Sequence, residues 1–495
     1  GGSESLLHHH HPSSFPPAFF SPNPPCRGSS IIVSGHLEFP LMAATRVIDK
    51  LAVSADGGGG VLPLTFFDVP WIFTGPVERV FFYPYPHPVD QFTSSLLPRL
   101  VSALSAALRS FYPLLGRVRP RPDGDGYEFC SGDGDNVQLT VVESDNDFED
   151  LAGDGPRDVA RLYSLVPRLP PPGHEGFALA AVQVTVFPGR GVALGVSIHH
   201  VACDDSSYMH FVKTWAAHCR VAITGAEDED GTAVPPPPFL DRAVVKDPDG
   251  LAARTLDEMR QLAASGPPPP QPPPGPPPKL VIASFTLARG CIDKLKQRVA
   301  ANAKDAAAPG AVHCSAFTVA CAFAWACLAR ASGAQDDRAH LLFSVECRRR
   351  LAPPVPQEYL GNCLRPCFVE VATRDLLADD GVATAAAAIG ASIRALDADG
   401  GVMAGAEGWF QKILSLVPRR PMSVGGSPRY GVYDTDFGLG RPRKVELVSI
   451  DKTPGTVSLA EGTDEGQRGI EVGVVLPEAQ MARFASCFSD GLLQL

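Results

Sequence analysis

One short segment places a histidine and an aspartate at a spacing that suits acid–base chemistry. It reads "VSIHHVACDDSSYMHFVKTWA" and contains His199 and His200, followed by Asp204. A histidine has an ordinary pKa of about 6.5. Held neutral at the end of a strand beside a cavity, it can accept the proton of a bound hydroxyl group. We therefore predict that His200 is a general base.

The sequence around this histidine predicts a strand, a short loop and a helix. His200 continues the alternation of apolar residues on one strand face, namely Val192, Leu194, Val196 and Ile198. The apolar period then changes to that of a helix, along Tyr208, Phe211, Val212, Trp215, Ala216 and Cys219. Asp205 or Ser206 is the expected N-cap of that helix. Asp204, at the junction, is expected to cap the helix or to pair with a distant arginine.

The pattern alone is weak evidence for an active site, because a short motif also arises by chance. Among 13 histidines, about one is expected to precede an aspartate by four residues. A metal site built from His199, His200 and Asp204 is disfavoured, since adjacent strand residues point to opposite faces. We expect no bound metal.

Composition limits the class of protein. The chain has 495 residues, of which 45% are hydrophobic and 20% charged, which is typical of globular proteins and suggests two or three domains. The net charge of −11 argues against a nucleic-acid-binding protein. The most apolar stretch, Val312 to Ala331, includes polar residues and predicts a buried core helix, so no membrane span is expected. The 12 scattered cysteines indicate reduced thiols of an intracellular protein.

Proline-rich stretches divide the chain. Residues 1–41 are rich in proline, serine and histidine and lack periodicity, so we expect them to be disordered and dispensable. Proline tracts at Val234–Phe239 and Gly266–Lys279 predict polyproline II spacers. The predicted division is a disordered extension (1–41), an N-terminal domain (42–225), a Pro-rich crossover linker (226–280) and a C-terminal domain (281–495).

Two further motifs lie in the C-terminal half. The segment "SVECRRRLAPPVPQEYLGNCL" contains Tyr359-Leu360-Gly361-Asn362-Cys363, and "YDTDFGLGRPRKVE" contains Asp436-Phe437-Gly438-Leu439-Gly440. Together with the histidine motif, in this order, they resemble the plant BAHD acyl-CoA-dependent acyltransferases over nearly all of residues 42–495. The YLGNC element resembles a box of the flavonoid and anthocyanin glycoside branch, which includes malonyltransferases.

The resemblance implies an α/β fold of two chloramphenicol-acetyltransferase-like domains with a channel between them. It implies catalytic motif residues at His200, Asp204 and Asp436, with His200 in mid-channel. The motif aspartate, Asp204, would point away from the substrate and pair with an arginine, for which Arg348 is the best match. The loop from Asp436 to Gly440 would shape the channel on the CoA side, and we interpret Asp436 itself as structural.

The implied reaction moves an acyl group, with malonyl favoured, from CoA to a hydroxyl of a flavonoid, anthocyanin or other phenolic glucoside. The alternatives are a hydroxycinnamoyl-CoA transferase and a non-catalytic member that binds a ligand or partner. Acyl-CoA would be a co-substrate, and we expect no permanently bound cofactor. We expect a cytosolic monomer without nucleic-acid or membrane partners. A strip containing Arg289, Lys294 and Lys296 is a candidate for CoA binding, or equally a solvated helix face.

Two positions depart from the pattern of the family. Asp205 follows the motif aspartate, where the family usually has glycine, and Leu439 stands where the family has tryptophan. The first is expected to affect the geometry of the loop and the turnover. The second removes aromatic bulk from a packing position, which is expected to loosen the loop. Neither removes the proposed proton carrier.

Overall fold

The structure is a computed structural model that describes most of the globular part of the chain. The described residues are 45–173, 175–225, 234–265, 278–302, 314–398, 400–463 and 469–495. The predicted extension, residues 1–41, and most of the second proline tract lie outside the described residues.

The described residues form 17 strands and 12 α-helices, besides short 3-10 and π-helical turns. The strands are β1 Thr45–Val53, β2 Gly60–Pro63, β3 Pro76–Pro84, β4 Arg117–Pro120, β5 Tyr127–Ser131, β6 Val137–Ser144, β7 Arg157–Asp158, β8 Phe177–Ala178, β9 Ala180–Phe187, β10 Gly191–His199, β11 Leu280–Leu287, β12 Arg338–Glu346, β13 Leu364–Ala372, β14 Met422–Gly425, β15 Lys444–Leu447, β16 Thr456–Glu461 and β17 Ile470–Pro477. The helices are α1 Val89–Gln91, α2 Leu97–Ser110, α3 Phe148–Leu151, α4 Val159–Tyr163, α5 Asp205–Thr224, α6 Leu251–Ser265, α7 Arg289–Asn302, α8 Ala316–Ser332, α9 Thr373–Leu376, α10 Gly381–Arg394, α11 Trp409–Leu416 and α12 Glu478–Leu493.

Two large sheets organise the molecule. The first has the order β1-β6-β9-β10-β3-β15, and the second has the order β13-β12-β14-β16-β17-β11-β7. A smaller sheet has the order β2-β5-β4-β8. The predicted hairpin is the β9–β10 pair, whose residues are buried throughout. Strand β10 therefore lies inside the first sheet and presents its carboxyl end, with His200, to the other half of the chain.

Short strands cross the predicted domain division. β15, from the C-terminal half, pairs with β3 in the first sheet, whereas β7, from the N-terminal half, pairs with β11 in the second. The predicted linker, residues 226–280, also holds more than spacers, because it contains α6 and the buried side chain of Arg242. The division into two domains stays a prediction, and the two halves exchange edge strands across it.

The predicted helices are present, with one correction at a helix start. Within the predicted core helix, the described residues from Ala316 onward form α8, whose residues are buried on nearly all sides. α5 begins at Asp205, and its N-cap is Asp204, so the prediction of Asp205 or Ser206 as the cap was wrong. Asp204 has extended backbone angles and its carboxylate accepts the N–H of Ser207, which satisfies a free donor of the first turn. No helix among the described residues is long and apolar enough to cross a membrane.

A buried charge cluster joins the two halves where the exchanged strands meet. Lys444 Nζ lies 2.6 Å from Asp154 Oδ1 and 3.0 Å from Glu471 Oε2. Beside it, Arg157 Nη2 lies 2.7 Å from Glu446 Oε1. Burial raises the pKa of Glu471 to about 7, although Lys444 opposes this rise. Glu471 therefore titrates near neutral pH inside the interface.

We predict that Glu471 makes the stability of the fold depend on pH. Because its pKa in the folded state lies above the ordinary value, its contribution is fully present below about pH 4.5 and is lost as the pH rises through 7. The free energy of unfolding should therefore fall between pH 5 and 8, by up to about 3 kcal/mol. Glu471→Gln should flatten this slope in denaturant titrations, whereas the exposed control Glu175→Gln should keep it. An unchanged slope in Glu471→Gln would contradict the prediction.

Candidate active site

His200 lies directly after β10, at the start of the turn that leads to α5. Its imidazole stacks on the indole of Trp71, with ring centroids 3.6 Å apart and an interplanar angle of 4°. Trp71 ends the short 3-10 helix Val69–Trp71. The stack fixes the plane of the imidazole, and its aromatic face attracts the imidazolium that forms when His200 accepts a proton.

The neighbouring histidine is in a different environment. His199 is buried and packs against the ring of Phe177, with ring centroids 4.5 Å apart. Its Nδ1 accepts the N–H of Val201 at 3.2 Å. Burial, followed by the charge of His200, lowers the pKa of His199 to about 3. His199 thus remains neutral and structural, and the two adjacent histidines have separate roles.

Asn362 fixes which nitrogen of His200 carries the proton. The Asn362 Nδ2 atom lies near three acceptors, at 3.0 Å from Asp68 Oδ1, 2.9 Å from the His200 carbonyl and 3.2 Å from the Val201 carbonyl. It must therefore be the amide nitrogen, and Oδ1 must be an acceptor. Since Oδ1 lies 3.1 Å from His200 Nδ1, that nitrogen donates its hydrogen. The Nε2 atom is then unprotonated and has a lone pair that can accept a proton.

Asp68 orients Asn362 and is itself held on both oxygens. Its Oδ1 accepts the backbone N–H and the side-chain amide of Asn362, at 3.1 and 3.0 Å. Its Oδ2 accepts from the backbone and hydroxyl of Thr65 and, at 2.8 Å, from Nη1 of Arg242. Asp68 is fully buried, so its ion pair with Arg242 compensates its charge. The orientation of His200 therefore depends on a continuous polar network.

Burial keeps His200 neutral. Desolvation lowers the pKa of His200, and its backbone hydrogen bond and the negative charges of Asp204 and Asp205 oppose this shift only in part. A neutral imidazole at neutral pH is the form that a general base requires.

Asp204 is engaged entirely with protein groups. Its Oδ2 lies 2.8 Å from Nη1 of Arg348 and accepts the N–H of Cys363 at 3.0 Å. Its Oδ1 accepts from Nη2 of Arg348 at 3.0 Å and from the N–H of Ser207 at 3.1 Å. The side chains of Asp204 and Arg348 are both 0% exposed. The predicted Asp204–Arg348 pair is thus confirmed, and it links the start of α5 to the C-terminal half.

The YLGNC segment closes around this pair. Nη2 of Arg348 also donates to the carbonyls of Tyr359 and Gly361, at 3.0 and 3.1 Å. The carbonyl of Gly361 additionally accepts the N–H of Asp204. A Cβ atom at Gly361 would lie 2.7 Å from the ring of Tyr359 and 2.9 Å from Arg242, so this approach requires glycine. The predicted motif residues Tyr359, Gly361, Asn362 and Cys363 therefore meet at one place.

Asp205 pairs with a buried arginine that the sequence analysis did not identify. Both carboxylate oxygens of Asp205 contact the guanidinium of Arg79, with Oδ2 at 2.8 Å from Nη2. Arg79 lies on β3 opposite Val196 of β10, and its guanidinium covers the ring of Tyr208. The departure from glycine at Asp205 therefore adds a second ion pair beside the Asp204–Arg348 pair.

Asp436 stabilises its own loop. Its Oδ1 accepts the N–H groups of Gly438, Leu439 and Gly440, at 2.7, 3.0 and 2.9 Å. No hydrogen bond between described residues links it to the residues bonded to His200. The interpretation of Asp436 as structural agrees with this geometry, whereas its place in the catalytic motif set has no geometric support.

The rest of the loop packs on α5. The buried ring of Phe437 meets Trp215 edge to face, with ring centroids 4.8 Å apart, and also contacts Tyr83. Gly438 has a φ of +86°, and a Cβ there would lie 2.9 Å from Ile223, so glycine is needed. Leu439 packs at the margin of this core. The loop thus anchors the far end of the helix that His200 precedes.

The predicted CoA strip lies on α7. Arg289 and Lys294 are exposed and Lys296 is half-buried. The opposite face of α7 buries Ile292, Leu295 and Val299 and packs against α8 and α10. Among the described residues, none of the three cations bonds to the network of His200. Their role in CoA binding stays a prediction.

Several residues of the site escaped the sequence analysis. Asp68 and Trp71 lie in "TFFDVPW", which we interpreted only as strands interrupted by proline, and Arg79 and Arg242 were not singled out. The sequence feature that could have pointed to this part of the site is a charged residue within an apolar run, as at Asp68. Within the described part of the chain, no cluster of three His, Cys, Asp or Glu side chains can hold a metal ion.

We predict that Asp204→Asn destabilises the fold as well as the site. Breaking a buried ion pair by neutralising one partner costs about 3 kcal/mol or more, and we expect the lower end because Glu346 still pairs with Arg348 at 2.8 Å. The free energy of unfolding should be measured by denaturant titration. The exposed pair Arg46–Glu143 provides the control, since Glu143→Gln should cost less than about 1 kcal/mol. Equal losses in both variants would refute the prediction.

Known proteins are similar to this chain over most of its length. The sequence model of the Transferase family matches residues 55–490. A coumaroyl-CoA:anthocyanidin 3-O-glucoside-6''-O-coumaroyltransferase 2 of Arabidopsis thaliana is 34% identical over 87% of this chain and 93% of its own length. A malonyl-coenzyme A:anthocyanin 3-O-glucoside-6''-O-malonyltransferase of Dahlia pinnata is 34% identical over the same shares, 87% and 93%.

Solved structures share the fold. Vinorine synthase superposes with a TM-score of 0.60 at 20% identity, covering 89% of this chain and 96% of its own. TRI101 of F. sporotrichioides, solved with coenzyme A and T-2, gives a TM-score of 0.57 at 14% identity and covers 86% and 97%. The predicted α/β fold of two chloramphenicol-acetyltransferase-like domains is confirmed. With a family match across residues 55–490 and relatives at 34% identity over nearly their full length, this chain belongs to the BAHD family of acyl-CoA-dependent acyltransferases.

Proposed function

We propose that this protein transfers an acyl group from an acyl-CoA to a hydroxyl of a phenolic or anthocyanin glucoside, with His200 as the general base. The network from His200 through Asn362 to Asp68 carries this proposal, because it supports an unprotonated Nε2. The names of the relatives from Arabidopsis thaliana and Dahlia pinnata both specify an anthocyanin-type 3-O-glucoside as acceptor. A cytosolic monomer is part of the same proposal.

The proposed reaction needs one proton carrier. His200 Nε2 takes the proton of the sugar hydroxyl while the hydroxyl oxygen forms a bond to the thioester carbonyl carbon. The tetrahedral intermediate then collapses, the carbon–sulfur bond breaks, and the imidazolium returns the proton to the departing thiolate. The products are the ester and free CoA. The stacked indole of Trp71 supports the transient imidazolium, and no covalent acyl-enzyme is required.

In this proposal the two motif aspartates are positioning residues. Asp204 holds the loop of His200 against Arg348, and Asp436 holds the loop that packs on the end of α5. Both oxygens of Asp204 accept from protein donors. Oδ1 of Asp436 accepts three N–H groups of its own loop, including that of Leu439.

A cavity of about 660 Å³ provides a second candidate for the CoA phosphates. It is lined by Phe67, which precedes Asp68, and its lining includes more cationic than acidic side chains, namely Lys246, Arg254 and Arg350 against Asp249 and Glu407. Cationic groups at a concave surface attract phosphates even when the whole protein is acidic. Its position next to the network of His200 favours it over the strip on α7.

Two kinds of acyl donor fit the proposed reaction. The sequence analysis favours malonyl-CoA, with a hydroxycinnamoyl-CoA as the alternative. The relatives include both kinds by name, a coumaroyltransferase and a malonyltransferase at equal identity. Sequence similarity therefore does not separate the two donors.

The proposed function is tested with His200→Ala. The full chain should be incubated with an anthocyanidin 3-O-glucoside and a panel of acyl-CoAs, and the products identified by mass spectrometry. We expect His200→Ala to lower kcat at least 10²-fold, as the loss of a general base does. In the wild type, kcat/KM should rise with pH to a plateau, with a midpoint below 6.5, because burial lowers the pKa of His200.

The control for this test is His340→Gln, a residue of β12 in the second sheet that pairs with Glu370. It should retain both activity and melting temperature. Near-normal turnover in His200→Ala would refute the mechanism, and the absence of any acyl transfer by the wild type would refute the function.

The CoA site is tested by charge reversal at two places. Lys246→Glu combined with Arg254→Glu should raise KM for the acyl-CoA about 10-fold or more, since repulsion replaces attraction at the cavity. The matched control, Lys294→Glu combined with Lys296→Glu, carries the same charge change on α7 and should leave KM unchanged. Steady-state kinetics with saturating acceptor separates the sites, and the opposite result would place CoA on α7.

A further inference from the structure

Four cations near His200 each pair with a carboxylate. Arg242 pairs with Asp68 and Arg348 with Asp204, each with both partners buried. The remaining pairs are Arg79 with Asp205 and Lys452 with Glu78. None of these four described cations is left unpaired beside the imidazole.

The Arg79–Asp205 pair acts directly on the base, because the negative charge of Asp205 favours a higher pKa of His200. The Arg79 side chain is 3% exposed and that of Asp205 is 18% exposed, so the carboxylate is the accessible half. Both guanidinium Nη atoms are engaged by its two oxygens. Asp205 follows His200 by five residues, and Arg79 lies opposite Val196, four residues before it. The pair therefore presents a negative group, not a positive one, on the flank of His200.

The position of the acyl group follows from the reaction. His200 Nε2 must reach the hydroxyl that attacks the thioester carbonyl, so the acyl chain begins within about 4 Å of the imidazole. A malonyl group carries a carboxylate only two bonds beyond the carbonyl carbon. Such a charge, taken out of water, needs a partner of opposite sign. Arg79 can supply one only by leaving Asp205 unpaired.

We propose that Asp205 determines donor specificity by occupying Arg79, so that the enzyme uses an uncharged acyl-CoA and discriminates against malonyl-CoA. This inference rests on the proposed function and narrows its substrate class. The donor class is an acyl group without a carboxylate, of which acetyl and hydroxycinnamoyl groups are examples. Asp205 is a specificity residue in this scheme and takes no part in proton transfer.

The test compares acetyl-CoA with malonyl-CoA, which differ by a single carboxylate. Isothermal titration of the full chain without acceptor should give a Kd at least 10-fold lower for acetyl-CoA. In turnover with the glucoside acceptor, kcat/KM for p-coumaroyl-CoA or acetyl-CoA should exceed that for malonyl-CoA by at least 10-fold. Equal or tighter binding of malonyl-CoA, or binding of neither thioester, overturns the inference.

Variants test the role of the Arg79–Asp205 pair. Asp205→Gly should raise the malonyl-to-acetyl ratio of kcat/KM at least 10-fold, because it frees Arg79. Adding Arg79→Met to that variant should remove the gain, which a merely structural effect of Asp205 would not do. Asp147→Asn, at the N-cap of α3, is the matched control and should leave the ratio unchanged. An unchanged ratio in a folded Asp205→Gly overturns the inference.

Different results would contradict the proposed function and the inference about Asp205. If the titrations give the expected difference in Kd between the two thioesters but no donor is turned over, the proposed function is wrong. The inference that Asp205 selects against a charged acyl group then stands. If malonyl transfer to the glucoside is the preferred reaction, the proposed function stands and the inference that Asp205 selects against a charged acyl group is wrong. Because the titrations use the wild-type chain, they decide the inference even if Asp205→Gly does not fold.

Discussion

The ion pair between Arg348 and Asp204 is the interaction on which the rest of the site depends. Both side chains are inaccessible to solvent, and they come from opposite halves of the sequence. An unpaired charge in such a place costs several kcal/mol, so each side chain fixes the position of the other. The pair thereby sets where the loop of His200 lies relative to the segment from Tyr359 to Cys363.

The segment from Tyr359 to Cys363 has two functions, one carried by its backbone and the other by a side chain. Its backbone binds the ion pair, through the carbonyls of Tyr359 and Gly361 and the N–H of Cys363, while the side chain of Asn362 turns to His200. The tautomer of the base and the position of its loop are therefore determined by one stretch of five residues. A displacement of this stretch would change both together.

The sequence predicted the elements well and the contacts only in part. The alternation before His200 and the helical period after it predicted β10 and α5, because these patterns are local. The Asp204–Arg348 pair was reached through the resemblance, and not from spacing. Asp68 and Trp71 were missed because their roles arise only when a turn before β3 is brought against the end of β10. The exchange of β7 and β15 was missed for the same reason, since strand pairing over such separations leaves no local pattern.

The pairing of charges that stabilises this fold also limits its chemistry. Arg242 and Arg348 each fix the position of one segment of the site, and each is neutralised by an aspartate that is fully buried. During the proposed reaction the only new charges are the imidazolium and the oxyanion, which form together and cancel when the proton returns. Such a site tolerates charges that form together during the reaction and then cancel. A permanent extra charge on the substrate must instead displace the carboxylate that already pairs with an arginine. Substrate selection by charge and stability of the fold are then two consequences of the same arrangement.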